Sequence, residues 1–154
     1  MPRKHTPPAF LSGVVAPEAY ERWLTRKAAA HVKRDRKRGH ICANAMYKEA
    51  IHAAVLLSAG LDAYTGEPLD WSLISTYKNE DSHKGRHAYK AGFALLPTVD
   101  HLSSDATEAS FRICAWRTND SKNDLSVDAF MDLCQKVLAH AGFQVSAPGA
   151  IHSS

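Results

Sequence analysis

The fold is decided by two segments, Pro97-Thr98-Val99-Asp100-His101-Leu102 and Phe111-Arg112-Ile113-Cys114-Ala115-Trp116-Arg117-Thr118-Asn119. Alternating apolar residues over positions 93–99 predict a strand, and its proline favours an edge position because proline has no N–H to donate. Residues 111–115 predict a second short strand, and residues 116–122 predict the start of a helix. This order of elements indicates an α+β fold in which the Asp-His pair closes the first strand.

Further helices are predicted on both sides of these segments. The first begins at Pro17, which suits the first turn of a helix, and runs to about Arg38. A second helix is expected over about residues 43–59. Near the C-terminus, Ser126 is expected to cap a final helix, whose apolar stripe from Val127 to Leu138 is predicted to be core.

The chain of 154 residues has the length of one domain with an N-terminal extension. We expect a flexible lead-in at residues 1–16, a basic helical region at 17–60, a region at 61–142 that contains the two segments quoted above, and a flexible tail at 143–154. The polar segment 71–92 is expected to be an insertion or a surface loop, and the pattern leaves its structure open.

Cysteine usage and hydropathy indicate the compartment. The three cysteines form no CxxC motif and are odd in number, which argues against a disulfide framework or a thiolate zinc site. The N-terminus lacks the apolar stretch of a signal peptide, and the longest apolar run is far shorter than the roughly 20 residues of a membrane span. The expectation is a cytoplasmic protein without a membrane partner.

Positive charge is concentrated in the first predicted helix. Eight of the nineteen Lys and Arg residues lie between Arg22 and Arg38, where the only acid is Asp35, so this segment carries +7 and the rest of the chain about -4. A basic helix is commonly a solvated face, but it can also neutralise phosphates and give salt-sensitive affinity for nucleic acid. The residues expected to contact nucleic acid here are Lys33, Arg34, Arg36, Lys37 and Arg38.

The side chains of the two segments suit the cleavage of a phosphodiester. This reaction needs a base that activates water and a cation that stabilises the developing charge. His101 is the expected general base, because an imidazole titrates near neutral pH. Asp100 and Asn119 offer the hard oxygen ligands that Mg²⁺ prefers. In a helix, Asn119, Lys122 and Asn123 would share one face at positions i, i+3 and i+4.

These residues also have ordinary interpretations. An Asp-His dipeptide alone usually marks a turn with a solvated histidine, and an isolated Asn119 is more often a helix cap. Of the other histidines, His83 and His87 are interpreted as surface groups rather than a metal pair. The joint pattern, with a strand before the pair and a helix that carries both Asn119 and Lys122, favours the catalytic site.

The segments 97–102 and 111–125, with Asp62-Ala63-Tyr64-Thr65-Gly66-Glu67-Pro68-Leu69 upstream, resemble the HNH endonucleases of the ββα-metal or His-Me finger group. The resemblance covers roughly residues 61–138, with 71–92 as a poor match. It implies a short two-stranded sheet plus a helix, here with additional N-terminal and C-terminal helices. It also implies that Asp100 and Asn119 are metal ligands, that His101 is the general base and that Lys122 lies close to the phosphate.

The sequence departs from the family pattern at two places. Where many members carry two CxxC pairs for a structural zinc, this chain has Asp62 with Thr65 and Ala115 with Thr118. No structural zinc is therefore expected, and its role should pass to ordinary packing around Tyr64, Leu69, Trp116 and the last helix. At the position of the family's orienting Asn, the counterpart is Ser110, whose side chain is shorter; Asn123 is a second candidate for this orienting role.

The sequence thus predicts a metal-dependent endonuclease that uses one divalent ion, Mg²⁺, with Mn²⁺ or Ni²⁺ as substitutes. Arg112 and Arg117 join Lys122 as expected phosphate contacts. DNA is favoured over RNA as the substrate, and both a homodimer and sequence-specific cleavage stay open. The alternative is a nucleic-acid-binding or regulatory protein on the same fold that has lost catalysis, which Ser110 and the missing zinc ligands would explain.

Overall fold

A computed structural model describes residues 5–40, 42–76, 92–102 and 110–148 of the chain. Within them, the chain is α+β and combines helices with a two-stranded antiparallel sheet. It divides into two compact units, the first ending at Ser121 and the second beginning at Lys122. No helix in the described ranges combines the length and the apolar character that crossing a membrane requires. The histidines predicted as surface groups, His83 and His87, lie outside the described residues.

Helix α1 spans Pro17–Lys37 and confirms the predicted N-terminal helix. Pro17 occupies the first turn, where a missing N–H costs nothing, and the chain leaves the helix at Gly39, whose φ of 89° suits a residue without a side chain. Its buried face repeats at helical spacing and includes two polar residues near the C-terminal end, His31 and Asp35. The helix is therefore apolar toward its neighbours at the start and polar toward them at the end.

Helix α2 spans Asn44–Ser58 and packs against α1. Its buried residues are Tyr47, Ile51, Ala54 and Val55. The main cluster of buried side chains contains residues of both helices together with residues of the sheet. Tyr47 and Ile51 are almost completely buried, at 1% and 0% exposure. Helices α1 and α2 thus both contribute side chains to the core.

The sheet is a hairpin of β1, Pro97–His101, and β2, Phe111–Ala115. In its register, Asp100 lies opposite Arg112 and His101 lies opposite Phe111. The first strand was expected from residue 93, and that prediction was wrong at its start. Residues 93–96 form a turn, in which the Leu96 amide donates to the Phe93 carbonyl at 3.1 Å. Proline is tolerated at the first residue of a strand, and the strand begins there.

A turn and a short helix lie between α2 and this hairpin in the sequence, and another short helix follows the hairpin. A turn after α2 is closed by an antiparallel bridge between Leu61 and Pro68, and the short helix α3 follows at Leu73–Thr76. Helix α4, Trp116–Lys122, begins directly after β2. The Trp116 amide donates to the Leu96 carbonyl at 2.8 Å, which fixes the start of α4 beside the start of β1.

The second unit contains helix α5, Val127–His140. Ser126 caps it as predicted, with its hydroxyl accepting from the Ala129 amide at 3.1 Å. None of its residues is buried, so the prediction that its apolar stripe belongs to the core was wrong. Leu133, Val137 and Leu138 are exposed. The stripe has a clear helical period, but a period identifies an apolar face and does not supply the surface that covers it.

Candidate active site

Asp100 and His101 are adjacent at the end of β1 and have different partners. Side chains of neighbouring strand residues point to opposite faces. The Asp100 carboxylate is 5% exposed and accepts a hydrogen bond from the Tyr64 hydroxyl. The His101 ring is directed toward α1, with Nδ1 3.2 Å from Oδ2 of Asp35. The end of the strand therefore holds an acid and an imidazole side by side, each fixed by its own contact.

Aromatic rings enclose His101. The ring stacks on Phe111, its partner across the hairpin, with centroids 4.8 Å apart and planes inclined by 27°. The rings of His31 and Tyr47 meet it edge-on, at centroid distances of 5.8 and 5.9 Å. Such edge-to-face and stacked arrangements restrict the tilt of an imidazole. The His101 side chain keeps 14% of its surface accessible to solvent, so the ring is restrained but can still be reached by water.

Burial lowers the pKa of His101, and it outweighs the opposing effect of the Asp35 charge. Arg38 and His40 lower the pKa further, whereas Asp100 raises it. The ring is therefore mainly neutral at pH 7. The negative charge beside Nδ1 favours the proton on that nitrogen, which leaves the lone pair on Nε2. A neutral imidazole with one nitrogen engaged is the form that can accept a proton from water.

The acid beside His101 belongs to a second buried contact. Asp35 is 2% exposed, and its Oδ2 accepts a hydrogen bond from the Tyr47 hydroxyl of α2. Burial and the bond to Asp35 raise the pKa of Tyr47 above its usual value, so the phenol stays protonated and donates. The site thus links α2, α1 and β1 through Tyr47, Asp35 and His101.

A separate buried carboxylate, Asp62, joins the turn after α2 to the end of the hairpin. Its Oδ1 accepts from the amides of Tyr64 and Thr65, at 2.7 and 3.1 Å. Its Oδ2 accepts from the Ala115 amide at 2.9 Å and from the Thr118 hydroxyl at 2.7 Å. Burial raises the pKa of Asp62, but the bonds from Thr118 and the three amides lower it more, so the pKa is below its usual range.

The expected packing is present at Leu69, which is buried, and at Trp116, which packs against the core cluster, and hydrogen bonds to the Asp62 carboxylate add to it. The positions at which the resemblance implies cysteine pairs, Asp62 with Thr65 and Ala115 with Thr118, all meet at the Asp62 carboxylate. The last helix, which was expected to contribute, buries no residue. The Asp62 carboxylate, which accepts four hydrogen bonds, thus joins these two chain segments.

The predicted phosphate contacts on the hairpin and helix have unequal surroundings. The Arg112 guanidinium lies over the Tyr64 ring, 5.4 Å from its centroid, and Tyr64 in turn donates to Asp100. Arg112 and Asp100 are thus brought together around Tyr64. Arg117 is exposed and forms an ion pair with Glu67. Arg112 is also the residue that lies opposite Asp100 in the register of the hairpin.

Other predicted site residues lie on helix α4 and directly after it. Asn119 is half-buried on α4, one turn after the helix begins. Lys122 is the last helical residue, 4% exposed, and its ammonium donates to the Leu125 carbonyl. Asn123 lies outside the helix with a φ of 52°, so the expectation that it shares a helical face with Asn119 was wrong. A left-handed residue is a common way to end a helix, and asparagine tolerates it.

Ser110 and the basic end of α1 complete the set of predicted residues. The Ser110 carbonyl accepts from the Leu102 amide at 2.9 Å, which continues the hairpin pairing beyond His101. The five predicted nucleic-acid contacts on α1 and just after it are exposed: Lys33, Arg34, Arg36, Lys37 and Arg38. Asp35 is the buried residue among them. The last turns of α1 therefore present cations to solvent and one carboxylate to His101.

Asp35 and Tyr47 were missed as site residues, although the sequence holds a signal for the first. Asp35 is the single acid in the basic segment, and it continues the apolar stripe of Leu24, Ala28 and His31 at helical spacing. An acid on the core-facing side of a helix requires a buried partner. For Tyr47 there is no such signal, because a tyrosine at helical spacing is most simply a core residue.

Comparison with protein-family models, curated proteins and solved structures gives no match to this chain. The function is therefore inferred from the chemistry of the side chains around His101.

Proposed function

We propose that this protein is a metal-dependent endonuclease of the HNH type that hydrolyses phosphodiester bonds of nucleic acid, with DNA favoured over RNA. The observation that carries the proposal is His101 at the end of β1, with Nδ1 3.2 Å from a buried carboxylate and with Asp100 as its neighbour in the chain. The order of two strands and a helix, at residues 97–101, 111–115 and 116–122, supports it, because the ββα-metal core has this order.

In this proposal, His101 accepts a proton from the attacking water at Nε2. The imidazolium that forms carries a positive charge, and the Asp35 carboxylate beside Nδ1 stabilises that charge. General-base catalysis of this kind contributes about 10²- to 10⁴-fold to a rate. The lowered pKa of His101 keeps the ring in its proton-accepting form at neutral pH.

The donor set suits a hard divalent cation. Asp100 and Asn119 offer a carboxylate and an amide oxygen, and Mg²⁺ is commonly held by one or two protein ligands, with water and phosphate as the others. Among the described residues, no group of three or more His, Cys, Asp and Glu side chains could hold a metal. When bound, the ion would stabilise the charge that develops on the phosphate and the leaving oxygen.

The exposed cations of α1 would supply affinity for the phosphate backbone. They lie on both sides of Asp35 in the chain, so the helix that contributes the counter-charge of His101 also carries the basic surface. Contacts of this kind release counterions and give affinity that falls with salt. They position the nucleic acid and carry no base specificity.

Nicking of supercoiled plasmid tests the proposal. Purified protein with Mg²⁺ should convert supercoiled DNA to open-circle and linear forms, and EDTA should stop the reaction. His101→Ala should lower the cleavage rate by at least about 100-fold because the general base is lost. His140→Ala is the matched control, since His140 is an exposed histidine at the end of α5. Equal cleavage by the His101→Ala protein and the wild type would contradict the proposed role.

The second candidate is a nucleic-acid-binding protein that no longer cleaves. The observation that favours it is the burial of Lys122, whose ammonium donates to the Leu125 carbonyl, although a phosphate contact was expected of it. A mobility-shift assay beside the nicking assay separates the two candidates. Retarded DNA with no nicking in Mg²⁺, Mn²⁺ or Ni²⁺ would favour the binding protein.

A further inference from the structure

Three side chains from three elements meet at one oxygen atom, Oδ2 of Asp35. Oδ2 of Asp35, on α1, accepts from the Tyr47 hydroxyl of α2 and lies 3.2 Å from Nδ1 of His101 on β1. All three side chains are largely withdrawn from solvent: Asp35 is 2% and Tyr47 1% exposed, and the His101 side chain 14%. A buried carboxylate is costly unless it is paired, so this arrangement requires its partners to stay in place.

We propose that Asp35 and Tyr47 are positioning residues for His101: Asp35 holds the ring with its proton on Nδ1 and its lone pair on Nε2, and Tyr47 holds the Asp35 carboxylate in the orientation that this requires. The expected effect on the cleavage rate rests on the proposed hydrolase function. The expected effect on the position of the proton of the His101 ring rests on the geometry alone. Neither residue contacts the substrate in this scheme.

The geometry supports a specific role for Asp35 over general packing. A carboxylate is an acceptor only, so the imidazole nitrogen beside it is favoured as the one that carries the proton. The edge-on ring of Tyr47 and the stacked ring of Phe111 restrict rotation of His101. A rotation of the ring by half a turn about its Cβ–Cγ bond would place a carbon atom next to Oδ2 of Asp35. The favourable electrostatic contact between Nδ1 and Oδ2 would then be lost.

The charges that face His101 come from every element around it. Helix α1 contributes Asp35, the segment after it contributes Arg38 and His40, and β1 contributes Asp100. The neighbouring ring of His31 is neutral at pH 7, because burial lowers its pKa to about 3. Of these groups, Asp35 alone is found at ion-pair distance from a nitrogen of the His101 ring within the described residues.

Long-range ¹H–¹⁵N spectra of the full chain, labelled at histidine, test the proposal directly. Such spectra distinguish a protonated ring nitrogen from one with a lone pair, and a His101→Gln sample identifies the His101 signals among those of the nine histidines. At neutral pH, His101 of the wild type should be protonated on Nδ1. In Asp35→Asn this preference should weaken or reverse, because the amide has lost the negative charge and can also donate.

Cleavage rates give the second measurement. Asp35→Asn should lower kcat by about 10- to 100-fold, the range found when a group that orients an active-site ligand is removed. Tyr47→Phe should lower kcat by about threefold and shift the His101 signals in the same direction, because one hydrogen bond to Asp35 is lost. Asp35→Glu, which restores the charge, should recover part of the Asp35→Asn loss.

Tyr20→Phe is the matched control. Tyr20 is also a buried tyrosine, and its hydroxyl contacts His52 Nδ1 at 2.7 Å. It should leave the His101 signals and kcat unchanged. If Asp35→Asn does not fold, the comparison of Tyr47→Phe with Tyr20→Phe tests the same proposal, since each removes a single oxygen atom.

The possible failures are distinguishable. A wild-type His101 with its proton on Nε2, or an unchanged His101 ring in both Asp35→Asn and Tyr47→Phe, would overturn the positioning role whatever the cleavage rate. A wild-type ring protonated on Nδ1 in a protein that never cleaves would contradict the proposed function and would still support the hold of Asp35 on the ring.

Discussion

Asp62 and Asp35 are both 2% exposed, and both join parts of the chain that are far apart in sequence, but their partners differ in kind. Asp62 accepts from three backbone amides and a threonine hydroxyl, none of which titrates in the physiological range. Asp35 contacts a tyrosine hydroxyl and an imidazole. One carboxylate is surrounded by fixed donors, whereas the other faces a phenol that stays protonated and an imidazole that can gain a proton.

We infer from this difference that Asp62 stabilises the fold, whereas Asp35 is suited to the role proposed for it beside His101. Fixed donors satisfy a buried charge fully and keep it ionised, so Asp62 ties the turn after α2 to the start of α4. A carboxylate that faces an imidazole stabilises a charge that appears only when the ring is protonated. Loss of Asp62 should therefore affect mainly stability, and loss of Asp35 mainly the properties of His101.

The largest expected effect is on folding. Asp62→Ala should lower the free energy of unfolding by about 4 kcal/mol, because it leaves four donors without an acceptor at a cost of roughly 1 kcal/mol or more each. Asp35→Ala leaves two such partners and should cost about 2 kcal/mol. Urea unfolding followed by tryptophan fluorescence measures both. An equal loss in the two variants would remove the distinction between the two acids.

Acid unfolding should show a smaller effect of the same site. The pKa of Asp62 is lower in the folded state than in the unfolded chain, so its contribution is complete above about pH 4 and disappears as the pH falls through the folded-state pKa. The wild type should therefore lose stability more steeply below pH 4 than Asp62→Asn does. Urea unfolding at pH 3 and pH 6 measures the difference. Parallel losses in the two proteins would contradict this role for Asp62.

The smallest effect on stability is expected at the exposed cations beside Asp35. Lys33→Ala and Lys37→Ala should change the free energy of unfolding by less than about 0.5 kcal/mol, since both side chains are solvated. Each should weaken binding to duplex DNA and reduce the slope of log affinity against log salt by about one. Lys136→Ala on α5 is the control. An unchanged salt slope in the α1 variants would show that this face does not contact phosphate.

Helices and the hairpin could be predicted because local sequence specifies them. Pro17 and Gly39 mark the ends of α1, Ser126 caps α5, and the two strands have the expected order. Errors arose where tertiary contacts decide. The turn at 93–96 is closed by the amides of α4, which no local pattern reveals. The apolar stripe of α5 correctly indicated an amphipathic helix, but its burial depends on a partner surface.

Of the candidate site around His101, only the residues on β1 could be predicted from the sequence. Asp100 and His101 were identified from adjacent residues, whereas Asp35 lies 66 positions earlier in the chain than His101. The proposed role of Asp35 depends on how α1 packs against β1. A count of charges along the sequence places Asp35 among the solvated residues of a basic helix. The four donors around Asp62 are likewise invisible in sequence, because three of them are backbone amides that every residue type provides.

The position of Asp35 has a consequence for shortened forms of the chain. A basic helix near an N-terminus is easily treated as a detachable affinity tag, whose removal would leave a weaker but intact catalytic module. Here that deletion would also remove the acidic neighbour of His101 and the acceptor of the Tyr47 hydroxyl. Under the proposed function, attachment to nucleic acid and cleavage would be lost together, so a truncation series cannot assign them to separate modules.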